Sequence, residues 1–379
     1  MQSIPARSKS LFSRNLPDIS LLLNEGEVAL NAGNFDLAAE HARSVIESRK
    51  ARKNSVLSAR LLQIRSRSRQ GLFTGVLDDL DLLFRRIPKA NLELQSRVGN
   101  EILWVCFRSG NLGIGAQKGE EMVRNFSSKW PRAQVVEMLC QLSSCHFHRG
   151  DAARAEEVVT QALELAEKSS SAKARTQTLW QSSALTMNRG NLVLALQLVS
   201  DAKHWAQIAG LQNVLPILNY NASIIMLDLP HSDLSRVHRL AESAYLDMSS
   251  QNNAGGAAYA CTVLSEVALR QENYTTALKY ATQGLNELPV EIPGPKTALL
   301  VQTAKVLARK GQLDDAKFAL FDAVEHMEQL EPSNELAKQW GDLARVFVEV
   351  GLADRGVYAY EKAIQMSGLL REEQEAPVN

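Results

Sequence analysis

Cysteine is scarce in this chain, with four residues (Cys106, Cys140, Cys145, Cys261) among 379. So few thiols exclude a disulfide-stapled scaffold and make a reducing cytoplasm the expected home. An excess of one charge is missing too. Lys and Arg number 42 against 42 Asp and Glu, which removes the electrostatic case for direct binding to nucleic acid or a membrane surface. No apolar run approaches the ~20 residues of a membrane span, and Met1-Gln2-Ser3-Ile4-Pro5 lacks the charged-then-apolar layout of a secretory signal. Sustained β-branched alternation is absent, so no strands are expected. There is no phosphate-cradling P-loop, no G-x-G-x-x-G after a strand, no G-x-S-x-G elbow and no H-E-x-x-H helix. The sequence therefore predicts no enzyme, no cofactor and no metal.

What the chain does have is a beat. A helix-ending hinge recurs at Gly33-Asn34, Gly71, Gly110-Asn111, Gly150-Asp151, Gly190-Asn191, Gly311-Gln312 and Gly351. Weaker versions, Ser232-Asp233 and Glu272-Asn273, fill the two gaps. The spacing is about forty residues throughout, the mark of stacked supersecondary units. Apolar residues at helical spacing flank each hinge. Glycine supplies the positive φ that ends one helix, and the Asn or Asp after it favours the start of the next. A second set of breakers, including Pro88, Pro131, Gly210, Pro289 and Pro332, falls midway between the hinges. Two helices per unit follow. A solenoid of this kind lets 379 residues grow lengthwise around one continuous core.

The residues within a unit resemble the tetratricopeptide repeat family. The last unit shows it best, with Trp340, Leu343, Ala344 and Phe347 before Gly351, and Tyr360 and Ala363 after it. Small residues recur five positions after the hinge (Ala38, Gly115, Ala155, Ala195, Ala277, Ala316, Gly356). Others recur seven before it (Gly26, Ser143, Ser183, Ser265, Ala304, Ala344). The unit is longer than the family's 34 residues. The resemblance implies an all-α, right-handed superhelical solenoid of about nine hairpins over residues 18–369, with a flexible lead at 1–17 and a polar tail at 370–379. Similar repeats form the sensor halves of bacterial regulators, among them actinobacterial proteins with an N-terminal helix-turn-helix. Some peptide-regulated relatives dephosphorylate a response regulator through a helical-bundle glutamine, but no separate N-terminal bundle is legible here.

In the family the first helix of each hairpin lines the concave surface. Its groove positions carry over by distance from the hinge, mostly six and two residues before it. That register selects Trp104, Arg108, Ser144, His148, Ala184 and Asn188 in the middle units, Arg65 and Arg69 toward the N-terminus, and Arg270, Lys305, Arg309, Arg345 and Glu349 toward the C-terminus. Positions ten and thirteen before the hinge add Asn100, Trp180, Gln177 and Asn219. Asn amides can grip a peptide backbone and Trp gives a rigid apolar anchor. Trp104 and Trp180 equally suit an inter-repeat core. The expected ligand is a peptide or partner segment, with nucleic acid reached only indirectly or through another domain, no membrane, and a homodimer left open. The alternative is the sensor portion of a transcriptional regulator whose helix-turn-helix lies outside this chain.

Two further groupings carry weaker expectations. Nine Lys and Arg lie between Arg43 and Arg69 against one acid, Glu47, either a patch for phosphate or an acidic partner or a solvated face. Cys140, Cys145, His146 and His148 fall on one predicted helix, where Cys140 and Cys145 point apart, so a buried-thiol role is expected rather than metal binding.

Overall fold

The computed structural model describes residues 18–289 and 292–367. The predicted lead at 1–17 and tail at 370–379 lie outside the described residues. Eighteen helices make up the fold, and no strand occurs among the described residues. The first four hairpins are α1 (Ile19–Asn31) with α2 (Phe35–Glu47), α3 (Lys53–Arg69) with α4 (Val76–Arg86), α5 (Leu92–Arg108) with α6 (Leu112–Phe126), and α7 (Arg132–His148) with α8 (Ala152–Glu167). Then come α9 (Ala172–Asn188) with α10 (Leu192–Ile208), α11 (Leu215–Leu227) with α12 (Leu234–Ser250), and α13 (Ala254–Arg270) with α14 (Tyr274–Glu287). The last two are α15 (Pro293–Arg309) with α16 (Leu313–Met327) and α17 (Asn334–Glu349) with α18 (Ala353–Met366).

The predicted hinges hold these pairs together. Gly33, Gly71, Gly110, Gly150, Gly190, Gly311 and Gly351 all have φ between 78° and 89°, a region costly for any residue with a Cβ. In the two glycine-free hinges, His231 and Glu272 take positive φ themselves, each at 59°. Capping follows the sequence reading in part. Asp151, Asn191, Asp233 and Asn273 each accept a hydrogen bond from the backbone N–H three residues on. Asn34 and Asn111 make no such side-chain bond.

The small residues five after each hinge are where paired helices touch. Ala38, Ala155, Ala195, Ala277 and Ala316 are fully buried. The two units without a small residue there bury Val76 and Val237 as completely. The core runs lengthwise in overlapping clusters. One, around α3 to α9, includes Trp130, which stacks on Phe126 at 5.0 Å between centroids. Another, around α15 to α18, includes the fully buried Trp340 and Phe347.

The superhelix also returns to touch itself, which periodicity does not foretell. Asn252, in the α12–α13 loop, donates from Nδ2 to the Gly33 carbonyl oxygen at 3.0 Å. Asn334, opening α17, donates to the Phe147 carbonyl oxygen at 2.6 Å. Ile292, ahead of α15, packs over Gly71 so closely that a Cβ there would lie 2.9 Å from its Cδ1. Hinges of the first, second and fourth units thus abut the half-period loops of units six to nine. No described helix is long and apolar enough to cross a membrane.

Candidate ligand-binding groove

The odd-numbered helices turn one face inward and line a half-open cavity of about 2310 Å³. Side chains repeat on that face every three to four residues, one helical turn apart. On α5 this produces a stripe of Asn100, Trp104 and Arg108, spaced four residues each. Ser144 and His148 continue it on α7, and Gln177, Trp180 and Asn188 on α9. Arg270, Lys305 and Arg309 complete the wall from α13 and α15. The structure therefore brings together all but one of the predicted groove residues around one space.

Asn219 is the exception. It does not line the cavity; Ile217, Tyr220 and Asn221 do so from α11. The cause is the glycine-free hinge of the sixth unit. Its helix ends at Leu227 and its left-handed residue is His231, a gap two residues longer than in the glycine hinges. Counting back from Ser232 therefore slips off the groove face. The Asn219 Oδ1 is buried without a hydrogen-bond partner.

The two tryptophans face two ways. Trp104 and Trp180 are half-buried, each packed on the edge of a core cluster while lining the cavity. The Arg69 guanidinium lies 3.4 Å from the Trp104 ring centroid, a cation–π stack.

Most groove cations are neutralised by carboxylates, of which the sequence reading selected only Glu349. Glu101, 5% exposed, accepts from both Arg69 nitrogens at 2.6 and 2.8 Å and from Ser68 Oγ at 3.0 Å. Burial alone would raise its carboxyl, but Arg69 and Arg65 outweigh that and hold it below the usual carboxylate range. Glu27 bridges Arg65 and Arg97. Lys173 reaches Glu137 at 2.7 Å, Lys305 reaches Glu266 at 2.6 Å, and Arg309 reaches Glu349 at 2.8 Å. Glu27 and Glu266 occupy the six-before-hinge position, so the register contained them. Glu101, nine before its hinge, gave no such signal.

These pairs also divide the basic stretch from Arg43 to Arg69. Arg65 and Arg69 face the groove and are paired, Arg67 meets Asp79 at 2.8 Å, and Arg43, Arg49, Lys50, Arg52, Lys53 and Arg60 are exposed.

The amides behave differently. Asn100 donates from Nδ2 to Gln134 Oε1 at 2.8 Å and to its backbone oxygen at 3.1 Å, while its Oδ1 is buried without a partner. The Gln177 Oε1 is likewise buried and unpaired. Ser144 donates to Gln181 Oε1 at 2.8 Å. The His148 ring lies edge-on to Phe107 and Phe147, at 5.1 and 5.2 Å. Burial pulls its pKa below the ordinary histidine value, against the opposing charge of Glu335. Of its neighbours on α7, Cys140 and Cys145 are buried and His146 meets Glu120 at 3.0 Å. No group of three or more potential metal ligands occurs among the described residues.

No family model and no curated protein matches the sequence. Solved structures do match. A Rap protein complexed with Competence and Sporulation Factor aligns with a TM-score of 0.67 at 14% identity, over 94% of this chain and 99% of that one. The Rap conjugation gene regulator of plasmid pLS20, in complex with the Phr* peptide, gives 0.57 at 13% identity, over 95% and 98%. Aspartyl phosphate phosphatase F from Bacillus subtilis gives 0.52 at 12% identity, over 97% of each. Identities this low carry the fold alone. With nine hinged helix pairs among its described residues and these neighbours, the chain is a tetratricopeptide-like helical-repeat protein.

Proposed function

We propose that this protein is a non-enzymatic regulatory module that binds an extended peptide in its groove. The observation that carries the reading is the cavity wall of amides and tryptophans, where Asn100 and Gln177, whose buried amide oxygens have no partner, stand beside Trp104 and Trp180. Buried acceptors in native proteins nearly always find a donor, and a peptide backbone supplies one N–H per residue. Size agrees. At about 2310 Å³ the cavity exceeds the range of roughly 300–1000 Å³ typical of small-molecule sites. Half-buried Trp104 and Trp180 offer apolar surface between the amides for alternate side chains. Two solved proteins of this fold hold Competence and Sporulation Factor or the Phr* peptide, which supports the same use of the groove.

The test is enrichment of randomised hexapeptide pools on immobilised protein, read by mass spectrometry. Wild type is expected to enrich a defined subset, and Asn100→Ala with Gln177→Ala to lose most of it while keeping its helical circular dichroism. Equal enrichment by wild type and the folded double variant would remove the reading.

A further inference from the structure

One groove cation stands apart from the rest. Arg108 closes α5 and lines the cavity, yet it has no hydrogen bond and no ion pair among the described residues. Lys338 also lines the cavity without an ion pair, but it is exposed to water. Arg108 is half-buried. Its guanidinium lies 5.9 Å from the Trp104 ring centroid and reaches across the groove to α13, where a Cβ on Gly255 would sit 2.9 Å from its Nη2. The nearest acid on that side, Glu335, is engaged by Tyr259, whose hydroxyl donates to it at 2.5 Å. Burial lowers the Arg108 pKa, with Tyr259 and Glu335 only partly opposing it. A desolvated charge without a partner is costly, and a guanidinium fork is matched best by a carboxylate held through two parallel hydrogen bonds.

We propose that Arg108 is the anchor for a carboxylate of the bound peptide, so the groove selects ligands carrying a free C-terminus or an acidic side chain at that point. This deepens the peptide-binding reading and rests on it. The stripe on α5 supplies the order of contacts. Asn100 meets backbone, Trp104 meets an apolar side chain, and Arg108 lies about 12 Å from Asn100 along the helix axis, from a rise of about 1.5 Å per residue. That ordering favours a chain end at Arg108. The neighbouring cations do not compete, because Arg65 and Arg69 are already committed to Glu27 and Glu101.

The experiment uses the full chain and hexapeptide pools in four forms: C-terminal acid or amide, each with Asp and Glu either included or omitted. Wild type should favour carboxylate-bearing pools over the pool that lacks carboxylates by roughly tenfold or more, the scale of one charge-assisted pair. Preference for the acid-terminated pool without Asp and Glu identifies the C-terminus as the source. Preference for amide pools containing them identifies a side chain. Arg108→Gln, checked for unchanged thermal unfolding, should erase the preference. Binding that ignores carboxylates, or a preference that survives in the folded Arg108→Gln, overturns this inference and leaves peptide binding standing. No enrichment of any pool by wild type overturns both.

Discussion

The Ser143 hydroxyl donates to the Ala155 backbone oxygen at 2.8 Å, across the interface between α7 and α8. The same bond recurs one unit later between Ser183 and Ala195 at 3.0 Å, and again between Ser265 and Ala277 at 2.8 Å. All three serines sit seven residues before the hinge and all three alanines five after it. The two small-residue positions of the repeat are thus partners, and serine adds a polar clasp where glycine or alanine gives only close approach. Each serine is buried at 2% exposure or less. Ser143→Ala should cost about 1 kcal/mol, the net value of one hydrogen bond. Ser143→Leu should cost more, about 1–3 kcal/mol, because the helices cannot separate to admit the extra volume. Urea unfolding followed by circular dichroism measures both. A leucine variant as stable as the alanine one would show that the interface is not close-packed.

Acid should weaken the N-terminal groove wall. Arg69 and Arg65 hold the Glu101 carboxyl below its ordinary 4.5 against the raising effect of burial, and Arg65 and Arg97 do the same for Glu27. In both cases the unfolded chain takes up a proton before the folded one. Their stabilisation is therefore complete above about pH 4.5 and is lost as pH falls through the lower folded values. Urea midpoints should hold steady from pH 7 to 5 and then decline. Glu101→Gln should lower stability at pH 7 by about 3 kcal/mol, since removing one partner strands a buried charge, and should flatten the acid decline. An unaltered acid slope in that variant would contradict the ion-pair account.

How much of this was legible follows from where the physics is local. A hinge glycine is visible because positive φ penalises every residue with a Cβ, so Gly33 through Gly351 mark the repeat without help from neighbours. The sixth unit shows the converse. His231 takes φ of 59° in a longer loop, nothing in its composition announces it, and the groove register slips from Ile217 to Asn219. Ion pairs one repeat apart, such as Lys173 with Glu137, were recoverable from the period. The burial of Glu101, and hence the neutrality of Arg69, depends on packing between α3 and α5. The Asn252 bond to Gly33 spans 219 residues and arises from superhelical pitch, which no local pattern encodes.

That closing contact predicts a change of shape. A methyl group built on Gly33 would run into the Gln251 backbone, and the glycine φ of 78° already disfavours any other residue. Gly33→Ala should therefore separate the first hinge from the α12–α13 loop. Asn252→Ala removes the bond without a clash. Small-angle X-ray scattering should show a larger radius of gyration for Gly33→Ala and a smaller increase for Asn252→Ala. Profiles that superimpose on the parent for both variants would mean that the superhelix holds its pitch without this contact.

The four thiols offer a probe of global unfolding. Cys106, Cys145 and Cys261 are fully buried and Cys140 is 7% exposed. Burial is the first cause of a raised pKa in each, pushing Cys106, Cys145 and Cys261 up to about 12 and Cys140 well above its ordinary value. Since the thiolate is the reactive form, the native protein at pH 8 should leave an aromatic disulfide reagent unconsumed over an hour. Four equivalents should react at once in guanidinium chloride. At intermediate denaturant, the labelling of Cys106 and Cys145 on α5 and α7 should keep pace with that of Cys261 on α13 if the stack opens as a unit. Earlier release of Cys261 would show that the C-terminal units part first, as a chain of nearest-neighbour interfaces allows. Rapid labelling of any thiol in native buffer would refute the burial on which this rests.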